Sequence, residues 1–405
     1  MISATQRAHI RPIHPFPARM APPIVWDALP ESDSPLNILD PMSGSGTTLV
    51  CARSKGHNTI GCDTDPLALL IAQAWCSDVD PARLKLQAGL VLEEAMALSK
   101  KLTPDASYPQ NANEETRRFM DFWFDPQNRC ELNTLATCIS RVRSKTEKTL
   151  LWCAFSRMII TKNSGVSLAI DVSHSRPHKV RDVAPVKPFD IFLGAISKVV
   201  NNCPFSDGAS NIPAARIRYG DARLLPVESG SVDMVITSPP YLNAIDYLRG
   251  HKLSLVWMGH NISEIRTLRS SNIRAEVSKN STSDGQIQEI VTSMTDPAAL
   301  DGRRLGMIRR YICDMDKVMK ECARVLKSKG RAIFVIGDSA IQGVFIRNSE
   351  ALIRLADNYG FYLKSRSTRT IETTRRYLPS PEYQKAGNKM QGRMREEVIL
   401  EFCVD

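Results

Sequence analysis

The sequence predicts an α/β fold: a mostly parallel, doubly wound sheet of about seven strands, interrupted by a large, mainly helical insertion. Three observations lead there. A strand, a Gly/Ser turn, a helix and a second strand ending on an acid succeed one another between residues 36 and 63. Short runs of Ile, Val and Leu alternate with amphipathic helical stretches again from residue 216 to the end. Between these halves the strand pattern stops, and the chain reads as helical from about 81 to 205.

The elements are expected in this order. Leu36-Asn37-Ile38-Leu39-Asp40 is a strand that runs into Pro41-Met42-Ser43-Gly44-Ser45-Gly46, and a helix follows from Thr47 to about Ser54. Asn58 to Cys62 is the second strand, closed by Asp63, and a helix runs from Pro66 through Cys76. After the helical stretch come strands at Arg216–Tyr219 and Val232–Ile236, the latter stopping at Thr237-Ser238-Pro239-Pro240-Tyr241. A helix over Met307–Leu326, a strand over Arg331–Ile336 and a helix near Ser349–Asn358 precede two last strands, Phe361–Ser367 and Glu397–Cys403. Residues 1–80 and 206–405 thus form two parts of one core, with 81–205 inserted and 260–305, rich in Ser, Arg and Asn, expected as a loop insertion. Alternation of this kind builds a parallel sheet with helices on both faces.

Composition narrows the function classes. Hydrophobic residues make up 43% of 405, enough to bury a sizeable core. No run reaches the length of a membrane span, and residues 1–19 lack the apolar core of a secretory signal, so a cytoplasmic location is expected. The ten cysteines contain no Cys-x-x-Cys pair and sit in apolar runs, which suits reduced core thiols; no metal is expected. A net charge of +10 is compatible with a polyanionic partner.

Two turns carry the chemistry. In the first, Gly44 and Gly46 let backbone approach a ligand closely, Asp40 stands at a strand's carboxyl end, and Thr47 and Thr48 open a helix. Asp63, ending the next strand, is placed for ribose hydroxyls, whereas Asp65 before Pro66 reads as a helix cap. Asp221 is a third acid, suited to an adenine amino group or to a solvated turn. In the second turn, Pro239 and Pro240 fix φ and hold adjacent carbonyls outward as acceptors. Ser238 adds an oxygen and Tyr241 a flat face, a set that suits an amino-bearing planar base.

Asp40–Thr48 and Thr237–Tyr241 together resemble the cofactor and catalytic motifs of amino-group DNA methyltransferases, the N4-cytosine and N6-adenine type. His14-Pro15-Phe16-Pro17-Ala18-Arg19 is similar to that family's N-terminal cofactor-side motif, and Gly392-Arg393-Met394-Arg395-Glu396-Glu397 matches near the end. The order, cofactor turn first, departs from the permuted order common with a Ser-Pro-Pro-Tyr motif. The resemblance implies a Rossmann-like methyltransferase sheet and S-adenosylmethionine held by Asp40, Pro41, Gly44, Gly46, Thr47, Asp63 and Asp221. It implies catalysis by Ser238, Pro239, Pro240 and Tyr241 on a base extruded from double-stranded DNA. Ser in the first tetrad position leans to cytosine N4, where Asp or Asn leans to adenine N6. A cognate restriction enzyme is a further candidate partner. Arg141, Arg143, Lys145, Arg176, Lys179, Arg303 and Arg304 are candidate phosphate contacts, each with solvated surface charge as the alternative. His174 and His178 read as structural or backbone-binding. Three rivals stay open: a tRNA guanine-N2 methyltransferase on the same sheet, an inactive DNA-binding relative, and a dehydrogenase, the last disfavoured by the missing third glycine.

Overall fold

In the computed structural model, residues 10–16, 19–104, 107–159, 165–170, 177–205, 212–242, 246–271, 273, 283–341, 343–371 and 396–405 are described. Pro17, Ala18, His174, Arg176 and 392–395 lie outside them.

Seven strands form one sheet: β1 Asn37–Asp40, β2 Asn58–Asp63, β3 Arg216–Tyr219, β4 Val232–Thr237, β5 Leu326–Ile336, β6 Phe361–Thr370 and β7 Glu396–Val404. Their spatial order is β3-β2-β1-β4-β5-β7-β6. The first five strands in that order pair in parallel, while β7 runs antiparallel to both β5 and β6. The chain order reverses between β1 and β4, so the carboxyl ends of these two strands flank the crevice where open α/β sheets bind ligands. This is the α/β class the alternation predicts.

Period-two alternation in the central strands feeds two cores. Ile38, Met234, Ile236, Ile333 and Val335 point to one face of the sheet, and Leu39, Val235, Ala332, Phe334 and Ile336 to the other. The helices are α1 Pro22–Ala28, α2 Thr47–Ser54, α3 Pro66–Trp75, α4 Pro81–Ser99, α5 Glu114–Trp123, α6 Pro126–Arg141, α7 Lys145–Ile159, α8 Pro188–Asn202, α9 Leu248–Leu255, α10 Ile262–Ser271, α11 Asp284–Met294, α12 Gly302–Val325 and α13 Asn348–Ala356. An Asp-Pro signature starts three of them. Asp65, Asp80 and Asp125 each cap with the side chain while proline takes the first helical position, where no N–H is needed.

The stretch from 81 to 202 does not stand apart. Buried residues of α4, α6, α7 and α8, such as Ala88, Leu135, Phe155 and Val199, join the same cluster as Ile38 and Met234 and cover one face of the sheet. The other expectation needs correction: 260–305 is not a loop but carries α10 and α11. Ser283 caps α11 by accepting from the Gln286 N–H, and Ile287, Ile290, Val291 and Met294 bury one helical stripe. In the sequence that four-residue stripe is hidden by its polar surroundings. β5 also begins earlier than predicted, at Leu326. The ten cysteines are free thiols; nine are buried, seven of them in the two cores.

Candidate functional site

The first turn leaves β1 at Asp40 and enters α2 at Thr47. Gly44 and Gly46 adopt the left-handed conformation, φ 49° and 89°. At Gly46 a Cβ would lie 2.9 Å from the Ala72 Cβ on α3, so glycine is required twice over. Gly46 also gives α2 no side-chain cap, leaving the helix's first N–H groups pointing at the crevice. The hydroxyls of Ser43, Ser45 and Thr47 are buried with no hydrogen-bond partner among the described residues. Buried polar atoms are normally paired. A small ligand bearing carboxylate and amino groups would satisfy this cradle of orphaned hydroxyls, helix N–H groups and close-approach glycines.

The acids divide the work. Asp40 is buried; its Oδ1 accepts from the Met42 N–H at 3.2 Å and from the Thr237 hydroxyl at 2.7 Å. Burial pushes its carboxyl up to about 6, against the pull of those donors. Asp63 accepts the Gly44 N–H at 2.8 Å and the Asp65 N–H at 2.9 Å, which ties the second strand's end to the glycine turn. Burial, then the neighbouring Asp65 charge, pushes Asp63 up to about 6 as well. A carboxylate offers about four acceptor positions, so both acids keep capacity for further donors. Asp65 caps α3 through the Leu67 and Ala68 N–H groups, and its other oxygen lies 2.5 Å from His251 Nδ1. Burial opposes ionisation there, but His251 and the backbone donors hold Asp65 below the usual carboxylate range. Asp221 is differently placed: the Arg223 guanidinium clasps it at 2.7 Å and reaches Asp314 on α12 at 2.9 Å. Any ligand would have to share Asp221 with that arginine.

The second turn is stitched to the first. Besides the Thr237–Asp40 bond, the Thr48 hydroxyl donates to the Ile236 carbonyl at 3.2 Å. β1 and β4 are adjacent in register, Leu39 opposite Val235, so Thr237 at the end of β4 meets Asp40 at the end of β1. Ser238 lies within hydrogen-bond reach of the Tyr241 phenol. That phenol donates to Glu397 Oε1 on β7 at 3.5 Å, and burial, ahead of the Glu397 charge, pushes it well above its ordinary value. Arg369 stands 3.6 Å from the other oxygen of Glu397.

The N-terminal motif is held by the helical layer. His14 Nε2 is 2.9 Å from the Ser156 hydroxyl of α7, and Asn202 at the end of α8 donates to the Pro12 carbonyl at 2.7 Å. Phe16 is thereby laid over the first turn, 3.5 Å from where a Gly44 Cβ would be, with Tyr247 and His251 at ring distances of 5.6 and 5.2 Å. Of the predicted residues, the structure brings Asp40, Gly44, Gly46, Thr47 and Asp63 together, and joins them to the Thr237–Tyr241 turn. Sequence reading named Thr237 and Glu397 within motifs but not their bonds to Asp40 and Tyr241, and it missed His251. Each acts across well over a hundred residues of chain, and no local spacing signals such a partner. Among the candidate phosphate contacts, Arg141 pairs with Glu94, Lys179 with Asp182 and Arg304 with Asp301. No group of three or more metal-ligating side chains forms among the described residues, and no described helix is long and apolar enough to cross a membrane.

No family model matches the chain. It is 23% identical over 418 residues to the Type II methyltransferase M.MvaI of Kocuria varians, spanning 98% of this chain and 90% of that protein. Type II methyltransferase M.AvaI of a Nostoc species is 23% identical across 80% of this chain and 73% of its own length. M.MjaII of Methanocaldococcus jannaschii is 24% identical across 62% and 63%. A SAM-dependent methyltransferase structure from Methanosarcina mazei superposes with a TM-score of 0.31 and 10% identity over 94% of this chain and 97% of that one; the fold class rests on the strand order above. Motifs, sheet order and matched length together set this chain beside the amino-group DNA methyltransferases that its two turns resemble.

Proposed function

We propose that the protein transfers a methyl group from S-adenosylmethionine to an exocyclic amino group of a base in double-stranded DNA, with cytosine N4 as the target. The observation that carries this reading is the Thr237–Asp40 bond at 2.7 Å, which fixes the base-side turn directly against the cofactor-side turn. Curated relatives matched over most of this chain are Type II methyltransferases, which supports the same reaction class.

The first turn holds the cofactor, which when bound supplies an electrophilic methyl group. The uncapped start of α2 and the hydroxyls of Ser43, Ser45 and Thr47 receive its amino-acid end, Asp40 takes up donor groups there, and Asp63 accepts the ribose hydroxyls. The second turn positions the base. The Ser238 hydroxyl oxygen and the Pro239 carbonyl accept the two hydrogens of the target amino group, and the Tyr241 face stacks on the ring. These acceptors bias the nitrogen towards a pyramidal form whose lone pair points at the methyl carbon. With S-adenosylmethionine bound, transfer would be an in-line displacement in which the N–CH3 bond forms as the S–CH3 bond breaks, with S-adenosylhomocysteine as leaving group, the amino proton passing to solvent, and no covalent enzyme–base adduct. Alignment supplies most of the acceleration, several kcal/mol of it from positioning. In this reading Ser238 acts as an acceptor and not as a nucleophile, its hydroxyl proton directed at the Tyr241 phenol oxygen.

A base in a duplex must be extruded to reach these residues. The serine in the first tetrad position is the ground for cytosine over adenine. Incubating the protein with methyl-labelled S-adenosylmethionine and either duplex DNA or tRNA tests the reading. Label in DNA is expected; label in tRNA alone would sink it.

A further inference from the structure

Helix α9 begins just beyond the catalytic turn and abuts the cofactor turn. Tyr247 at its start packs on Phe16, which covers Gly44, and His251 one turn on is paired with Asp65. The outer side of α9 and the neighbouring α10 carries Arg249, Lys252, Arg266 and Arg269. Among the described residues their ion-pair partners are two carboxylates: Asp246, 3.1 Å from Arg249 and 2.5 Å from Arg269, and Glu115, which meets Arg266. Lys252 lies 5.0 Å over the Phe119 ring instead. Burial first, and then the surrounding Arg269, Arg249 and Arg266 charges, hold the Lys252 ammonium below its ordinary range. The three arginine side chains are between 41% and 63% exposed, so the cluster is open to a ligand. Like charges gathered with too few counter-charges repel one another, and a polyanion relieves that repulsion.

Resting on the reading above, we propose that α9 and α10 form the surface that grips the phosphates flanking the extruded base, with Arg249, Lys252, Arg266 and Arg269 as the contacts. Asp246, five residues beyond Tyr241, holds Arg249 and Arg269, so this surface begins close to the catalytic turn, and α9 itself reaches the cofactor turn through Tyr247 and His251. An extruded base keeps its own backbone attached, so the adjoining phosphates must lie at the mouth of the pocket. Composition singles out none of the four, because in the sequence they are dispersed among Ser, Leu and Thr.

The test measures duplex-DNA affinity as a function of salt for the full chain, for R266Q/R269Q, for the charge-restoring R266K/R269K, and for K320Q, an exposed cation on α12 in the opposite helical layer. Removing two phosphate contacts lowers affinity by about tenfold or more and reduces the magnitude of the log–log salt slope by about 1.8. The lysine pair is expected to restore most of that slope, K320Q to match wild type, and all four proteins to bind S-adenosylmethionine and melt alike. If R266Q/R269Q keeps the wild-type affinity and slope while wild type binds duplex DNA, the surface is wrong and the methyltransferase reading stands. If wild type binds tRNA and ignores duplex DNA, the DNA reading fails and takes the surface with it.

Discussion

The two buried acids of the cofactor turn make the protein's affinity for S-adenosylmethionine depend on pH in a calculable way. Asp40 and Asp63 are both pushed up to about 6 by burial, and both are proposed to receive hydrogen bonds from the cofactor. A protonated carboxyl gives up acceptor capacity, so the binding-competent form has both acids ionised. Each acid is about nine-tenths ionised at pH 7 and about one-tenth at pH 5. The expected Kd therefore weakens by about 100-fold between pH 7 and pH 5 if both take part, and by about 10-fold if only one does. The sign for folding is opposite. A carboxyl raised from 3.8 to about 6 by the fold contributes its stability below pH 3.8 and loses it as pH rises through 6, about 3 kcal/mol per group. The free protein should thus lose stability from these two groups as pH rises from about 4 to about 6, a window that overlaps only the lower part of the one in which it gains affinity, and cofactor binding should release protons near pH 6. Calorimetric titrations from pH 5 to 7, in two buffers of different ionisation enthalpy, read both affinity and proton release. Asp40→Asn and Asp63→Asn should each remove one of the two steps. A flat Kd across that range, with no proton release, would refute the reasoning.

Three substitutions probe the rest of the site. Gly46→Ala places a Cβ 2.9 Å from Ala72 in a left-handed residue and should cost about 1–3 kcal/mol, read as a lowered melting temperature together with weaker cofactor binding. Thr237→Val leaves Asp40 short of its 2.7 Å donor. It should destabilise by about 1–3 kcal/mol in denaturant titrations and move the pH midpoint of cofactor binding upward. Ser238→Ala should lower kcat by about 100- to 1,000-fold while the cofactor Kd, measured by dialysis, stays unchanged. An equal loss in cofactor affinity would mean that Ser238 serves the first turn and not the base.

Much of the fold was legible because its signals are local. The Asp65-Pro66 helix start, the glycine turn and the period-two strands each declare themselves within a few residues, and the seven strands fall where alternation places them. The segment 260–305 reads as loop in the sequence because only four apolar residues mark α11, and those stand among polar neighbours. The insertion at 81–205 reads as a separate element because sequence shows that a stretch is helical but not what its apolar stripe covers. In the structure that stripe closes one face of the sheet and clamps the His14–Phe16 motif over the first turn. The site was legible as two motifs, not as one constellation. What joins them is a set of long-range bonds, Thr237 to Asp40, His251 to Asp65 and Tyr241 to Glu397, and none has a spacing rule. Asp221 shows the converse: an acid in the expected place is taken up by Arg223 two residues away.

The most direct test of the central claim is to methylate duplex DNA with the purified protein, digest it to nucleosides and identify the product by mass spectrometry. The proposed function, with serine in the first tetrad position, predicts N4-methylcytosine, made by wild type and not by Ser238→Ala. A methyl group on a ring carbon, or methylation confined to RNA, would contradict it.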